Sequence, residues 1–471
     1  MRRYSKQFSC FCLLSAVLTL SSLLAAQVDK ALVRVTVSDP SGAMVANAAV
    51  TMTNEATGVD SVCKTDDKGI CVFPALQPSS YSAKVVSDGF KTGAREHMVL
   101  QVGQQVDLPF ALQVGSETQI MVVGDQAPLV NTVSSELGTT VSGNYILDMP
   151  LFDRNPTALV FLAPGVTNVN GGDVNALGGL NFSSNGQRTF SSELRLDGAV
   201  ASVPEGGEGG VNNVTYKPSV EGIQEFKLMN NGYSAEYGSN GGTVISMVTK
   251  SGTNDIHGSG FYFTRRPWLD ANAFFANRAD EPRAQYKREE WGGSVGGPIV
   301  KKKAFFFFDF ERDHFDQPFV IQAIVPTALE RTGDFSQSFN PNGAPVAIYD
   351  PNGAIVGTTR PQFHALVNGV DTANVIPTGR LNPLGLALIN LLPSPNQNVD
   401  PSSGDPNFVQ NAVIGTPGWQ LDGKIDYYFN QKSWMTGRYY MRRETTDQPD
   451  PFLSENITKA KTEGITLSHN W

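Results

Sequence analysis

The chain has 471 residues and a formal net charge of −9, and 17% of its residues are charged. An acidic chain without a basic tract argues against nucleic acid as a partner. The length allows two or three domains and a sizeable core.

Residues 1–26 have the pattern of a secretory signal peptide. Arg2, Arg3 and Lys6 precede an apolar run, Phe8 to Leu24, which ends in small residues. A membrane anchor helix is the alternative, but serine and threonine residues within the run favour cleavage. No other segment is apolar enough for a spanning helix, so a membrane protein with this sequence would cross as a β-barrel.

Residues 27–113 are predicted to form a small all-β domain. Short apolar stretches alternate with turns such as Asp39-Pro40-Ser41-Gly42. The expected strands are Ala31–Val37, Ala48–Asn54, Ser61–Thr65, Gly69–Phe73, Tyr81–Ser87 and Val106–Leu112.

Cys63 and Cys71 flank a turn centred on Asp67 symmetrically. In a hairpin centred there, the two cysteines would lie directly opposite each other, close enough for a disulfide. An exported chain enters an oxidising compartment. We therefore predict a cross-strand disulfide between Cys63 and Cys71, and two buried free cysteines are the alternative.

Residues 125–252 read as an α+β domain. Short helical pieces are broken by prolines between residues 150 and 164. Residues 168–210 are rich in Gly, Asn and Ser, a composition that often indicates disorder. They surround a strong strand, Arg188 to Asp197, so we interpret the glycine-rich arms as loops of a folded domain.

The interpretation of the whole chain depends on the end of this domain. A strand from Ile223 is followed by a small-residue turn and a second strand that ends at Thr249-Lys250. This order resembles the end of the plug in TonB-dependent outer-membrane receptors, and it is most similar to their Oar-like branch. The matching residues are Ile223, Glu225, Tyr237-Gly238, Gly241-Gly242, Ile245, Val248 and Thr249-Lys250. A segment of a soluble β-sandwich is the alternative.

Residues 253–471 are predicted as the first strands of a transmembrane antiparallel β-barrel. In the first strand Phe261 and Phe263 alternate with small or polar residues, and we expect these rings to face lipid. Between Trp419 and Phe429, apolar residues alternate with Gln, Asp and Lys, which predicts a lipid face and a wet face. The candidate strands are Ile256–Arg265, Gln285–Gly296, Ala304–Arg312, Trp419–Phe429, Trp434–Arg443 and Gly464–Trp471.

A long connection, residues 315–418, separates the third and fourth of these strands. It would be an extracellular loop, and loops of such length usually carry function. Transporters of this class use about 22 strands, far more than the candidates here. An open sheet cannot lie in lipid with unpaired edges, so we expect the sequence to be a fragment or a truncated product.

The resemblance also assigns the N-terminal part of the chain. Residues 27–113 resemble a carboxypeptidase-regulatory-like β-sandwich of carbohydrate-binding-like fold, which brings no peptidase residues. Residues 114–124 resemble a TonB box, which would add as a strand to the inner-membrane protein TonB. The residues predicted to contact TonB are Thr118, Gln119, Ile120, Met121, Val122 and Val123. The last strand of the preceding domain, or a linker strand, is the alternative.

The resemblance implies an outer-membrane receptor-transporter that lies in lipid, couples to TonB and takes up an unidentified extracellular ligand, for which a carbohydrate and a peptide are the candidates. Because a barrel lumen is polar, charged plug residues would contact it. The predicted plug–barrel contacts are Arg188, Arg195, Glu225, Tyr237 and Lys250. A surface carbohydrate-binding or adhesion protein, and a component that exports protein or peptide, are the alternatives.

We find no signature of an enzyme. None of the five histidines has a metal-ligand spacing to another His or Cys. Residues 292–296 match G-x-S-x-G, but that motif requires a strand-to-helix turn and this segment continues as a strand. We assign no catalytic residue, metal or cofactor.

Overall fold

The computed structural model describes residues 29–115, 120–122, 136–151, 154–169, 182–189, 191–203, 210–214, 216–234, 237, 241–272, 274–278, 283, 285–340, 342–450, 452 and 455–471. These residues build an N-terminal sandwich (29–115 with 120–122), a middle domain (136–252) and a C-terminal sheet (253–471). The predicted mainly β fold is confirmed. The predicted signal peptide lies outside the described residues. Among those residues, no helix has both the length and the apolar character of a membrane span.

The N-terminal sandwich has a three-stranded and a five-stranded sheet. Its strands are β1 (Ala31–Ser38), β2 (Ala49–Asn54), β3 (Asp60–Lys64), β4 (Ile70–Leu76), β5 (Ser79–Val86), β6 (Thr92–Leu100), β7 (Gln105–Ala111) and β8 (Ile120–Val122). The sheets have the orders β4-β1-β7 and β3-β2-β5-β6-β8. Alternate side chains of both sheets, including Val35 and Val85, meet in one core. Strand β6 is not among the predicted strands, because Arg95, Glu96 and His97 interrupt the apolar alternation.

The positions of Cys63 and Cys71 differ from the predicted hairpin. Cys63 lies in β3 and Cys71 in β4, and these strands belong to different sheets. The chain crosses between the sheets because Gly69, with a φ of +67°, brings its carbonyl group to the Val37 N–H of β1. The expectation that the cysteines oppose each other within one hairpin is wrong. The structure nevertheless joins them as a disulfide, with Cα atoms 6.2 Å apart.

We expect replacement of Cys63 and Cys71 by alanine to lower the free energy of unfolding of the sandwich by about 2–3 kcal/mol. The bridge closes a short loop and so removes entropy from the unfolded chain. Urea unfolding with and without reductant checks this, since reduced wild-type protein should match the double variant. Two reactive thiols in a titration of unreduced protein would contradict the bridge itself.

The described part of the middle domain combines short helical elements with a five-stranded sheet of order β13-β12-β17-β16-β9. The helical elements are α1 (Gly143–Asp148) and 3-10 helices at Pro156–Leu162 and Val220–Gly222. The strands are β9 (Leu137–Ser142), β10 (Val166–Asn168), β11 (Phe182–Ser184), β12 (Glu193–Leu196), β13 (Ala199–Val200), β14 (Ser202–Val203), β15 (Gly210–Val214), β16 (Ile223–Asn231) and β17 (Val244–Thr249). Every residue of β17 is buried, so this strand is the centre of the domain.

The C-terminal sheet is antiparallel throughout, in the order β18-β19-β20-β23-β24-β25. Its strands are β18 (His257–Arg265), β19 (Lys287–Val300), β20 (Ala304–Ala323), β23 (Phe408–Tyr428), β24 (Trp434–Pro449) and β25 (Glu455–Asn470). Helix α2 (Phe274–Arg278) follows β18. The 20 residues of β20 are about twice what a tilted strand needs to cross a bilayer.

The long connection is shorter than predicted. Strands β20 and β23 stay paired as far as Ala323 and Phe408, so the connection spans 324–407 and not 315–418. The apolar alternation stops near Arg312, but backbone pairing continues beyond it. The connection contains the hairpin β21 (His364–Val367) and β22 (Val370–Ala373), 3-10 helices at Glu330–Thr332 and Thr378–Arg380, and helix α3 (Pro383–Leu391).

The two faces of the C-terminal sheet have opposite character. One face exposes large apolar side chains, including Phe308, Ile425, Tyr439, Ile465 and Leu467. The other face buries polar and charged side chains against the middle domain and the N-terminal sandwich, including Asp309, Glu311, Gln420, Asp422, Lys424, Asp426 and Arg438. The alternation of apolar and polar faces predicted for β23 is confirmed, but the polar face is buried and not exposed to water.

Candidate functional site: the interface between the middle domain and the C-terminal sheet

Asp197 lies where the middle domain meets the C-terminal sheet. Strand β12 runs parallel to β17, and Asp197 follows β12 with its N–H bonded to the Met247 carbonyl. A φ of +49° turns the chain at this residue. Its carboxylate accepts hydrogen bonds from the N–H and the hydroxyl of Thr249, at 3.0 and 2.8 Å. The middle domain therefore fixes the position of this carboxylate through its own central strand.

Two cations of the C-terminal sheet approach the Asp197 carboxylate. Lys424 of β23 places Nζ 3.4 Å from Oδ1, and Arg438 of β24 places Nε 3.5 Å from Oδ2. These cations are 3% and 2% exposed. Burial alone would raise the pKa of Asp197, but Lys424 and Arg438 outweigh it and hold the pKa well below its ordinary value. We call Asp197, Lys424 and Arg438 the ion cluster.

Aromatic rings also hold Arg438. Its guanidinium carbon lies 5.5 Å from the ring centroid of Tyr216 in the middle domain and 5.0 Å from that of Tyr440 in β24. The two ring centroids are 4.3 Å apart. Asp422 of β23 pairs with the same guanidinium. Cation–π contacts and ion pairs both strengthen where water is excluded, so Arg438 couples the two units.

Arg154 makes a second charged contact between the units. The Asn155 side chain caps the 3-10 helix Pro156–Leu162, and Arg154 precedes it with a φ of +48°. This places the guanidinium 3.6 Å from the Glu221 carboxylate of the middle domain and 3.4 Å from that of Glu290 in β19. One cation is thus shared by a carboxylate of each unit.

Phe261 and Phe263 of β18 cover the Arg154 guanidinium, at 4.7 and 4.1 Å from their ring centroids. This side of β18 faces the middle domain, and Tyr262 on the opposite side is 60% exposed. The predicted lipid-facing orientation of Phe261 and Phe263 is therefore wrong. A ring face that covers a partly buried cation is favourable, and the sequence pattern does not separate this from a ring in lipid.

Two glycines allow the close approach of the units. A Cβ at Gly222 would lie 2.6 Å from a carboxylate oxygen of Asp309 in β20. A Cβ at Gly252 would lie 2.5 Å from the carbonyl oxygen of Gly297 in β19, and closer still to that of Phe306. The middle domain therefore packs directly against the backbone of the sheet at Gly252.

Two of the predicted contact residues, Arg195 and Tyr237, meet each other inside the middle domain. Arg195 pairs with Glu193, and its guanidinium carbon lies 5.1 Å from the ring centroid of Tyr237. Tyr237 is buried in a small core with Met229 and Val244. Their predicted contact with a barrel stays a prediction.

The other three predicted contact residues lie in different surroundings. Glu225 accepts a hydrogen bond from the Val102 N–H of the N-terminal sandwich, and its predicted contact with a barrel stays a prediction. Burial lowers the pKa of Lys250, and the nearby Glu221 and Asp309 carboxylates oppose that change. Arg188 is exposed on the loop after β11.

The predicted TonB box is described in part. Residues 120–122 form β8, which pairs in parallel with β6 at the edge of the five-stranded sheet. Thr118, Gln119 and Val123 lie outside the described residues. This placement is compatible with a TonB box and with the alternative of a last strand of the sandwich.

The sequence pattern did not identify the residues that connect the units. Asp197 ends a predicted strand and Lys424 lies on the predicted wet face, but neither has a predicted partner. Arg154 has no predicted role. The sequence signal that could have identified Asp197 is its position in a turn directly after a buried strand. In the described part of the chain, no group of three or more His, Cys, Asp or Glu residues is placed to hold a metal ion.

The N-terminal and C-terminal parts of the chain each match a known family model. A family model described as a carboxypeptidase regulatory-like domain matches residues 33–113, and one described as an outer membrane beta barrel domain matches residues 248–471. The TonB-dependent transporter Oar of Myxococcus xanthus is 25% identical over 288 residues, which are 56% of this chain and 25% of the relative. The chain thus spans about a quarter of the length of this curated relative.

Solved structures of outer-membrane proteins are similar at low identity. The outer membrane transporter YddB from Escherichia coli is 12% identical, with a TM-score of 0.43 over 70% of this chain and 36% of that one. The siderophore receptor PirA from Acinetobacter baumannii is 12% identical, with a TM-score of 0.38 over 68% of this chain and 33% of that one.

Proposed function

We propose that the chain, which is homologous to the TonB-dependent transporter Oar and matches an outer membrane beta barrel domain, belongs to a transporter that takes up a ligand from outside the cell. The middle domain is then the plug of the barrel. The ligand is a carbohydrate or a peptide, and TonB supplies the energy for its uptake. No chemical change of the ligand is required.

The observation that carries this proposal is the ion cluster. Lys424 and Arg438 belong to the polar face of a sheet whose other face is apolar. Buried cations need anionic partners, and the middle domain adds Asp197 to the sheet's own Asp422. A removable plug must be a folded domain whose side chains neutralise the buried charges on the inner wall of the membrane sheet.

The two ends of the C-terminal sheet support an orientation across the membrane. The short turns 301–303 and 429–433 lie at the end where the sandwich packs, through contacts to Lys302 and Tyr428. The long connection 324–407 leaves the other end. We assign the sandwich end to the periplasm, where TonB would reach Thr118 to Val123, and the other end to the cell exterior.

The long connection contains a cavity of about 430 Å³ that we assign to the ligand. Its lining includes Phe339, Gln337, Gln397 and Asp405. Arg331, a cation of this lining, donates to backbone carbonyls at the end of α3. Because that cation is engaged by the protein, the cavity suits a neutral polar ligand better than an anion.

Deletion of residues 116–124 should abolish uptake by the full-length transporter and leave ligand binding unchanged. Strand addition to TonB requires an extended backbone at this position, whereas the proposed ligand site is at the opposite end of the sheet. Radiolabelled uptake and binding by whole cells measure the two effects separately.

A replacement of residues 116–124 by an equal-length Gly/Ser segment is the matched variant, because it keeps the spacing between sandwich and plug. It should fail in uptake as the deletion does. Uptake that survives both changes would reject the TonB box and with it the proposed coupling.

A further inference from the structure

The N-terminal sandwich contacts the middle domain through strand β16. The Gln224 side chain donates to the Pro78 carbonyl at 2.7 Å, and the Val102 N–H donates to a Glu225 carboxylate oxygen at 2.7 Å. Lys227 donates to the Gly103 carbonyl at 3.3 Å. Three nearby residues of one strand therefore bind two loops of the sandwich.

The same sandwich contacts the C-terminal sheet. Gln77 donates to the Asp426 carboxylate at 3.2 Å and accepts from the Tyr428 hydroxyl at 3.1 Å. The Asn254 N–H donates to the Ala56 carbonyl at 3.0 Å. Because Pro78 follows Gln77 directly, one loop of the sandwich is bound to the middle domain and to the sheet at adjacent positions.

We propose that the N-terminal sandwich is a strap across the periplasmic side of the transporter, which must undock before the plug can move. This inference rests on the proposed function, because it takes the middle domain to be a plug. A domain bound to two bodies resists their separation as long as both contacts hold. The strap thus adds a second restraint on the plug, distinct from the ion cluster.

Glu225 is the residue on which the middle-domain side of the strap depends. Its side chain and the Val102 N–H are both buried, with residue exposures of 7% and 1%. On the neighbouring strands it faces Ser142 and Val248. The charged group beside it is Lys227, which is itself paired with Glu136. Loss of the acceptor would leave the Val102 N–H buried without a partner, which favours opening of the contact.

The strap should loosen as the pH rises. Burial raises the pKa of Glu225 from its ordinary 4.5 to about 7, against the Val102 hydrogen bond and the charge of Lys227. A carboxyl whose pKa is raised by docking stabilises the docked state fully below pH 4.5, and that contribution is lost as the pH rises through 7. A neutral glutamine should remove this dependence.

Hydrogen exchange on the full chain in detergent micelles tests the strap. We expect Glu225→Leu to lower the protection factors of the Val102 and Asn254 amides at least about tenfold. Asn254 is the decisive amide, because it reports the contact with Ala56 on the sheet side. The control is Asp66→Leu, which removes a carboxylate that accepts the Ile70 N–H at 2.9 Å within the sandwich. It should leave both amides protected.

Loss of protection at Val102 alone, or at neither amide, would overturn the strap. If Glu225→Leu fails to fold, Glu225→Gln decides. Its protection factors should stay constant from pH 5 to pH 8 while those of the wild type fall, and equal falls in both proteins would overturn the proposal. The measurement uses neither TonB nor ligand, so its failure leaves the uptake experiment, and the proposed function, standing.

Discussion

Asp197→Ala should release the middle domain from the C-terminal sheet, with a loss of about 3–5 kcal/mol in the free energy of unfolding. The substitution leaves Lys424 and Arg438 buried with one anion fewer. It also removes the acceptor of the Thr249 N–H. Removal of one partner costs far more than the net value of a buried ion pair, because the remaining charge stays desolvated.

Pulse proteolysis of the middle domain over a urea series, on the chain in detergent micelles, measures this loss. The control is Asp350→Ala, which breaks an Asp–Arg pair with Arg380 in the long connection and should leave the urea midpoint unchanged. Asp197→Asn separates charge from hydrogen bonding, since its amide oxygen still accepts from Thr249. An unchanged midpoint for Asp197→Ala would show that the ion cluster does not hold the middle domain against the C-terminal sheet.

The two faces of the C-terminal sheet could be predicted because strand alternation is a local property. Between Trp419 and Tyr427 each residue differs in polarity from its neighbour, and burial follows this period. The ends of the strands could not be predicted in the same way. Beyond Arg312, strand β20 continues because β23 pairs with it, and the pairing partner is about a hundred residues away in the sequence.

The ion cluster could not be predicted because its members are distant in the sequence. Asp197 and Lys424 are 227 positions apart, and nothing near either residue identifies the other. Arg195, two residues from Asp197, looked equally suitable, but it turns back toward Glu193 and Tyr237. The polar residues of the strands predict that their buried face needs charged partners. Which charged residues meet there depends on the fold.

The alternation of aromatic residues and the symmetry of a turn were also ambiguous, because neither pattern shows which part of the chain lies opposite. Phe261 and Phe263 have the spacing of lipid-facing rings, yet they cover the Arg154 guanidinium. The symmetric turn between Cys63 and Cys71 is typical of a hairpin, yet the chain leaves one sheet for the other. A local pattern fixes which residues lie on the same side of a strand, but not what that side contacts.

Gly252→Ala should destabilise the junction between the middle domain and the C-terminal sheet by about 3 kcal/mol, near the upper end for an added core methyl group. The new Cβ would lie 2.5 Å from the carbonyl oxygen of Gly297 and closer to that of Phe306. Both atoms belong to the backbone of paired strands, β19 and β20, so neither can move aside as a flexible side chain could.

The matched control for this prediction is Gly241→Ala in the middle domain, where a Cβ meets no atom within 4 Å. It should leave stability unchanged or raise it slightly, because alanine restricts the unfolded chain. Pulse proteolysis over urea compares the two variants on one scale. A fall for Gly252→Ala with none for Gly241→Ala locates the effect in the contact with the sheet, whereas equal behaviour would mean that the middle domain does not pack there against β19 and β20.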